Sequence, residues 1–302
     1  MFTQKRLPFL LLAMASLVLL ISACSQPGSI GSTPQSSLSV GQVLQKSAAS
    51  MKQLKSSHVE LQSTTNTQTS GGTVSTGTTT TTVPSKIDLT IKGSGDQQLP
   101  DQEQMNLTLN NSTNLAEILQ GDKVYIKNQK GQWYVLNKSA LQGQVGNPFS
   151  GVTIDQNTLL GMLQHVKITD NGDQNLNGQS LRHITAQLDK DALRQLLNAN
   201  AQLKNSLGVA NTDSVLNNTK SFLSTVDVWI DETNFYVHRT ELKINLDADT
   251  SSLGKGAPTS VKSNTDTIVD LSKFNDAVTI TPPTNAIPTD NISTALGTTN
   301  IP

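Results

Sequence analysis

Cys24 is the only thiol in the 302-residue chain, and the residues before it decide what it can do. It follows Ile21, Ser22 and Ala23 directly. An aliphatic residue, two small residues and a cysteine make up the bacterial lipobox. In that chemistry the thiol takes a diacylglyceryl group, the chain is cut just before the cysteine, and the new amine is open to N-acylation. An exported protein with one cysteine has no disulfide partner for it, and lipidation accounts for the residue. Upstream, Lys5 and Arg6 precede an apolar run from Leu7 to Ile21, the pattern of a secretory signal. The run is shorter than the ~20 residues that span a bilayer comfortably. An accidental thiol after an ordinary signal, or a retained anchor helix, are the alternatives. The expectation is a leader over 1–23 and a lipidated Cys24. Its two or three acyl chains suffice to hold a domain on the extracytoplasmic face of a membrane.

The remaining chemistry-bearing residues form no motif. His58, His165, His183 and His238 are scattered among strand-like segments, so no metal site is expected. Asp170, Asp173 and Asn175 have a faint calcium-loop look, but no glycine stands sixth and no glutamate closes the loop. A hairpin turn fits them better. There is no G-x-S-x-G elbow, no G-x-G-x-x-G and no Walker loop. Asp227 and Asp231 flank Trp229 and are expected on the wet face of one strand. Without a nucleophile, base and orienter grouped together, no enzyme activity is expected, and no cofactor beyond the acyl groups on Cys24.

Composition narrows the rest. Apolar residues are 35%, aromatics 4% and charged residues 15%. Globular averages are about 45–50% apolar and about 25% charged. Ser, Thr, Asn, Gln and Gly fill the gap, which argues against a helical bundle. The net charge of −1 leaves no basic footprint for nucleic acid. Removing 1–23, which holds Lys5, Arg6 and no acid, makes the balance −3. Such a domain gains little from anionic headgroups, so the lipid must hold it.

The uncharged stretch 24–37 reads as an acylated, flexible tether. From Leu38, Val40, Val43, Leu44, Ser47, Met51 and Leu54 recur at three- and four-residue spacing, giving a helix with Ser39 as N-cap. The period then switches to two. Residues 63–82 are a Thr-rich tract, expected as a long hairpin that frays at Gly71-Gly72. Ile87, Leu89 and Ile91, then Met105, Leu107 and Leu109, alternate with polar residues. Residues 116–137 read as three short strands, turning at Gly121-Asp122 and Asn128–Gly131. A helix is expected over 154–166, a hairpin over 166–188, and a third helix over 189–207. A long hairpin turns at Glu232–Asn234, a late strand covers 261–275, and 278–283 closes the sheet. The sum is one α+β domain over 38–283, with nine to eleven antiparallel strands, about three helices, and a loose tail over 284–302.

Several strings together resemble one family. LKSSHVELQS (54–63), KSFLSTVDVWIDETNFYVHRTELKI (220–244) and IVDLSKFNDAVTITPP (268–283) look like the LppX/LprAFG lipoproteins of mycobacteria and related bacteria, within the LolA/LolB-like fold. The resemblance spans most of 38–283 and is most specific at Val226–Asp231. It implies a strongly curved antiparallel half-barrel with helices in its mouth. It also implies a cavity for acylated lipid or lipoglycan, and an anchored carrier, expected to be monomeric, that binds and hands on such lipid. The candidate cavity wall is Ile87, Leu89, Ile91, Met105, Leu107, Leu109, Val226, Val228 and Ile230. Aliphatic walls suit acyl chains, which bind through area rather than directional contacts. The alternative is that these rows meet the helices in a solid core, leaving a non-catalytic structural or protein-interaction module of the envelope.

Overall fold

The computed structural model describes residues 38–76, 79–82, 85–141, 166–192, 194, 216–251 and 259–296. Helix α1 (Val40–Lys52) opens the described chain. Ser39 caps it through its side chain, which accepts from the Gln42 N–H, while the Gln42 side chain returns to the Ser39 N–H at 2.9 Å. Val43, Leu44 and Ser47 form its buried stripe.

Twelve strands form one sheet. In chain order they are β1 (Ser56–Ser70), β4 (Lys86–Gln98), β5 (Gln102–Leu109), β6 (Thr113–Gln120), β7 (Lys123–Lys127), β8 (Trp133–Asn137), β9 (Val166–Leu176), β10 (Gln179–Leu188), β11 (Thr219–Ile230), β12 (Val237–Asp249), β13 (Ser260–Ser272) and β14 (Ile287–Pro288). Their spatial order is β14-β8-β7-β6-β5-β4-β1-β13-β12-β11-β10-β9. The sheet is open, with β14 and β9 at its edges. Every pairing is antiparallel except β14 with β8. The remaining strands, β2 (Thr73–Thr76) and β3 (Thr79–Thr82), make a separate ribbon inside the connection from β1 to β4. The Thr-rich tract therefore divides. Its first part extends β1 beside β13 as far as Ser70, and only the remainder is a detached hairpin. Threonine suits a strand whose neighbours supply the ladder.

Other expectations also shift. Strand β9 runs through Leu176, so Asp170–Asn175 lie in strand and the turn is confined to Asn177-Gly178. Residues 278–283 form no strand. Chain expected to be loose after 283 carries β14 and a short helix α3 (Ile292–Leu296). Ala295 of α3 is buried against Leu119, Val124, Ile126 and Leu136. Helix α2 (Lys138–Leu141) is a single turn. Cys24, the leader, the tether, the helix expected at 154–166 except Val166, which begins β9, and most of that at 189–207 lie outside the described residues.

Two glycines let β4 and β5 approach. A Cβ on Gly95 would stand 1.9 Å from the Gln104 carbonyl oxygen and 2.7 Å from Met105 Sδ. On Gly93 it would meet Leu107 Cδ2 at 2.8 Å. Only hydrogen fits there, so Met105 and Leu107 lie down over β4 and the strands draw together.

Candidate functional site

The register shows which residues share a face. Ile168, Ala186, Val226, Leu242, Thr267, Ser63, Ile91, Leu109 and Thr113 form one continuous row across nine strands. Since successive residues alternate between faces, the expected wall residues Leu89, Ile91, Met105, Leu107, Leu109, Val226, Val228 and Ile230 all point the same way. Helices α1 and α3 sit on this face too, because their buried residues contact it.

The face is not uniform. Along β10–β12 it is filled. Val226, Val228 and Ile230 join Ile184, Ala186, Leu188, Val237 and Leu242 in one core with Val43 and Leu44 of α1. Ile230 and Val43 are both 0% exposed. These three wall candidates therefore line a packed core covered by the chain's own helix. At the other end α3 covers β7 and β8 in the same manner.

Between the two covered ends the character changes twice. Where β1 meets β13, hydroxyls face each other: Ser63 with Thr267 at 2.7 Å, Thr65 with Thr265 at 3.1 Å, Thr67 with Ser263 at 3.0 Å. Next to this seam lies an aliphatic floor from β4 to β6. Ile91 and Met105 are buried, while Leu89, Leu107, Leu109 and Leu115 are half-buried. None of the six belongs to either packed cluster. Ile87 shares the phase of Leu89 and Ile91 on β4.

The opposite face mixes polar side chains with scattered apolar ones such as Ile118 and Trp229, and there the structure assembles groups that the sequence scattered. His58 Nδ1 lies 2.6 Å from Asp96 Oδ1, and its Nε2 lies 3.3 Å from Ser94 Oγ. Serine, histidine and aspartate thus stand in triad order, but the electrostatics run against a nucleophile. The Asp96 hydrogen bond, joined by Glu60 against the cost of burial, raises the histidine pKa and so favours the charged ring over the free base. Glu60 Oε1 takes Nε2 at 3.0 Å and the Ser94 hydroxyl at 2.8 Å. Both ring nitrogens face carboxylates, so neither is left free to take the serine proton, and Ser94 sits mid-strand with its backbone neighbours committed to the ladder.

A second group lies on β10 and β11. His183 stacks on Trp229 with ring centres 4.3 Å apart and planes 3° from parallel. Its Nε2 donates to Asp227 Oδ1 at 2.7 Å, and the Thr185 hydroxyl donates to the same oxygen. Trp229 Nε1 donates to Gln174 Oε1 at 3.2 Å, so the indole stacked on His183 also has its N–H satisfied from β9. Asp231 does not share that face. It leaves the strand and caps the β11–β12 turn, accepting from the backbone of Thr233 at 3.0 Å and Tyr236 at 3.1 Å. Asp170, far from ligating calcium, grips the buried Arg182 in a two-pronged pair. Among the described residues no group of three or more His, Cys, Asp or Glu is placed to hold a metal. No helix among them is long and apolar enough to cross a membrane.

Sequence reasoning missed Glu103 and Glu117. The signal was present in the alternation: Glu103 is in phase with Met105 and Leu107, and Glu117 with Leu115 and Leu119.

The fold resembles the crystal structure of Mycobacterium tuberculosis lipoprotein LppX at 17% identity, covering 79% of this chain and 96% of that one, with a TM-score of 0.42. LprF from Mycobacterium bovis is similar at 16% identity, over 80% and 95% of the two chains, with a TM-score of 0.37. No curated protein matches the chain. A family model matches residues 39–290, nearly the whole described fold, and the chain belongs to that family, a family of unknown function (DUF6612).

Proposed function

We propose that the chain is a membrane-anchored envelope lipoprotein that binds acylated lipid on the aliphatic floor of β4–β6. The observation that carries this is the contrast within one face. Both ends are covered by the chain's own helices, while Leu89, Leu107, Leu109 and Leu115 between them stay half-open. Aliphatic side chains in that state gain free energy when an alkyl chain removes them from water, at about 25 cal/mol per Å². A lipidated Cys24 would hold the domain beside a bilayer, the source of such chains. Exchange would be passive, the ligand passing between bilayer and floor, and hand-over to another acceptor follows from the same reversibility.

Two measurements test it. Native mass spectrometry of the full chain should show co-purifying lipid that Leu107→Trp displaces with little loss of stability. If no lipid accompanies the chain, and Leu107→Trp costs the ~1–3 kcal/mol of an overpacked core, the floor is solid and the interaction-module alternative stands. Cys24→Ser should move the protein from the membrane to the soluble fraction. Retention on the membrane would make the apolar run itself the anchor.

A further inference from the structure

Glu103 and Glu117 occupy positions where β5 and β6 otherwise place aliphatic side chains on the helix-bearing face. Glu103 lies across from Leu119, and Glu117 lies across from Met105 on one side and Ile126 on the other. The two are diagonal neighbours, within reach of one ligand group. Leu107 and Leu115 are the next pair along, so the carboxyls border the proposed floor. Both side chains are half-buried, and neither has a hydrogen-bond or ion-pair partner among the described residues. Two partly open carboxyls that no described residue satisfies, set into a mainly aliphatic stretch, are free to meet a ligand.

Their surroundings also set their charge. Burial pushes Glu103 up to about 7, with Lys138 on α2 drawing it partly back. Burial pushes Glu117 up to about 8, and neighbouring Glu103 adds to that. At about pH 6.5, below both values, the acid form predominates, and it both donates and accepts hydrogen bonds.

Resting on the lipid reading above, we infer that Glu103 and Glu117 are the head-group contacts of that site. They select an uncharged, oxygen-rich head group, such as the hydroxyl and ester carbonyls of a diacylglycerol, over an anionic phosphate-bearing one. The acid protons meet carbonyl oxygens and the acid carbonyls accept from hydroxyls, while the alkyl chains lie along Leu89, Leu107 and Leu109. A phosphate would bring negative charge to a place where water is scarce and any ionised carboxylate repels it.

The full chain is titrated with dioleoylglycerol, with dioleoylphosphatidic acid, and with a pyrene-labelled alkane that has no head group. At about pH 6.5 wild type should prefer dioleoylglycerol by roughly tenfold, as two hydrogen bonds allow. At about pH 9.5, above both carboxyl values, the ionised pair no longer donates and repels the phosphate, so dioleoylglycerol affinity should fall while dioleoylphosphatidic acid binds more weakly still. The double variant E103Q/E117Q keeps neutral donors and should hold the preference at both pH values. E103L/E117L should bind the alkane as wild type does and lose the preference. Equal wild-type affinity for the two lipids, or a preference unchanged in E103L/E117L, would overturn the assignment while leaving the lipid reading intact. Failure of wild type to bind the alkane and both lipids would remove the lipid reading, and this assignment with it.

Discussion

The α1-covered arm of the sheet and the β4–β6 floor are built from the same material. Both present aliphatic side chains from alternating positions, on one face and in one continuous register. In the arm, Val43 and Leu44 of α1 seal that surface, and Val226, Val228 and Ile230 fall to 4%, 2% and 0% exposure. On the floor, four of the leucines stay half-open and two carboxyls interrupt the row. An apolar face is therefore not by itself a binding site. What distinguishes the floor is that the helices cover the face on either side of it.

The largest effect expected from this contrast comes from trimming each region alike. Ile230→Ala should cost about 3 kcal/mol, because a fully buried side chain leaves a cavity that its neighbours fill only partly. Leu107→Ala should cost about 1 kcal/mol, because a half-open site loses burial without creating an enclosed void. Urea midpoints at an unchanged slope would read both. Equal losses would mean that the two regions are packed alike and that the contrast is only one of surface.

The carboxyls sharpen the same contrast through pH. A group whose value is raised in the folded state stabilises the fold fully below its unfolded value, and that contribution is lost as pH rises through the folded value. For Glu117 the window runs from the ordinary 4.5 to about 8. Wild type should lose stability across it. Glu117→Gln, which cannot ionise, should be the more stable protein by on the order of 2 kcal/mol near pH 9, allowing for the partly open site. The two should converge below about pH 4. Thermal melts across that range would show it, and parallel curves would place Glu117 in water.

Much of this architecture could be read from residue order, and the failures have physical causes. Helix α1 and its Ser39 cap were legible because a 3.6-residue apolar period and a capping serine are local signals. The β6–β8 meander was legible because its turns are short and carry Gly, Asp and Asn. The fate of Val226, Val228 and Ile230 was not, since alternation says that residues share a face and is silent about which helix lands there. The His58–Asp96 and His183–Asp227 pairs were hidden for a similar reason. Their partners are 38 and 44 residues away, and only strand register brings them together. Glu103 and Glu117 could have been found, because their phase is explicit. A reading tuned to hydrophobic runs passes over the polar residue that interrupts one.

The smallest predicted effect concerns the seam between the two regions, where Ser63 and Thr267 are 1% and 3% exposed and their hydroxyls meet at 2.7 Å. Ser63→Ala alone strands the Thr267 hydroxyl in a buried place and should cost about 1–2 kcal/mol. Adding Thr267→Val removes the orphaned group and keeps the shape, so the double variant should come back to within about 0.5 kcal/mol of wild type. The coupling in that cycle measures the pair itself. If the single variant costs nothing, water already reaches Thr267, and the seam is a wet gutter beside the floor. If the double variant matches wild type, the hydroxyls add little net stability. The pair then contributes shape and pairing rather than net stability, and it interrupts the aliphatic surface between Leu107 and the α1-covered arm.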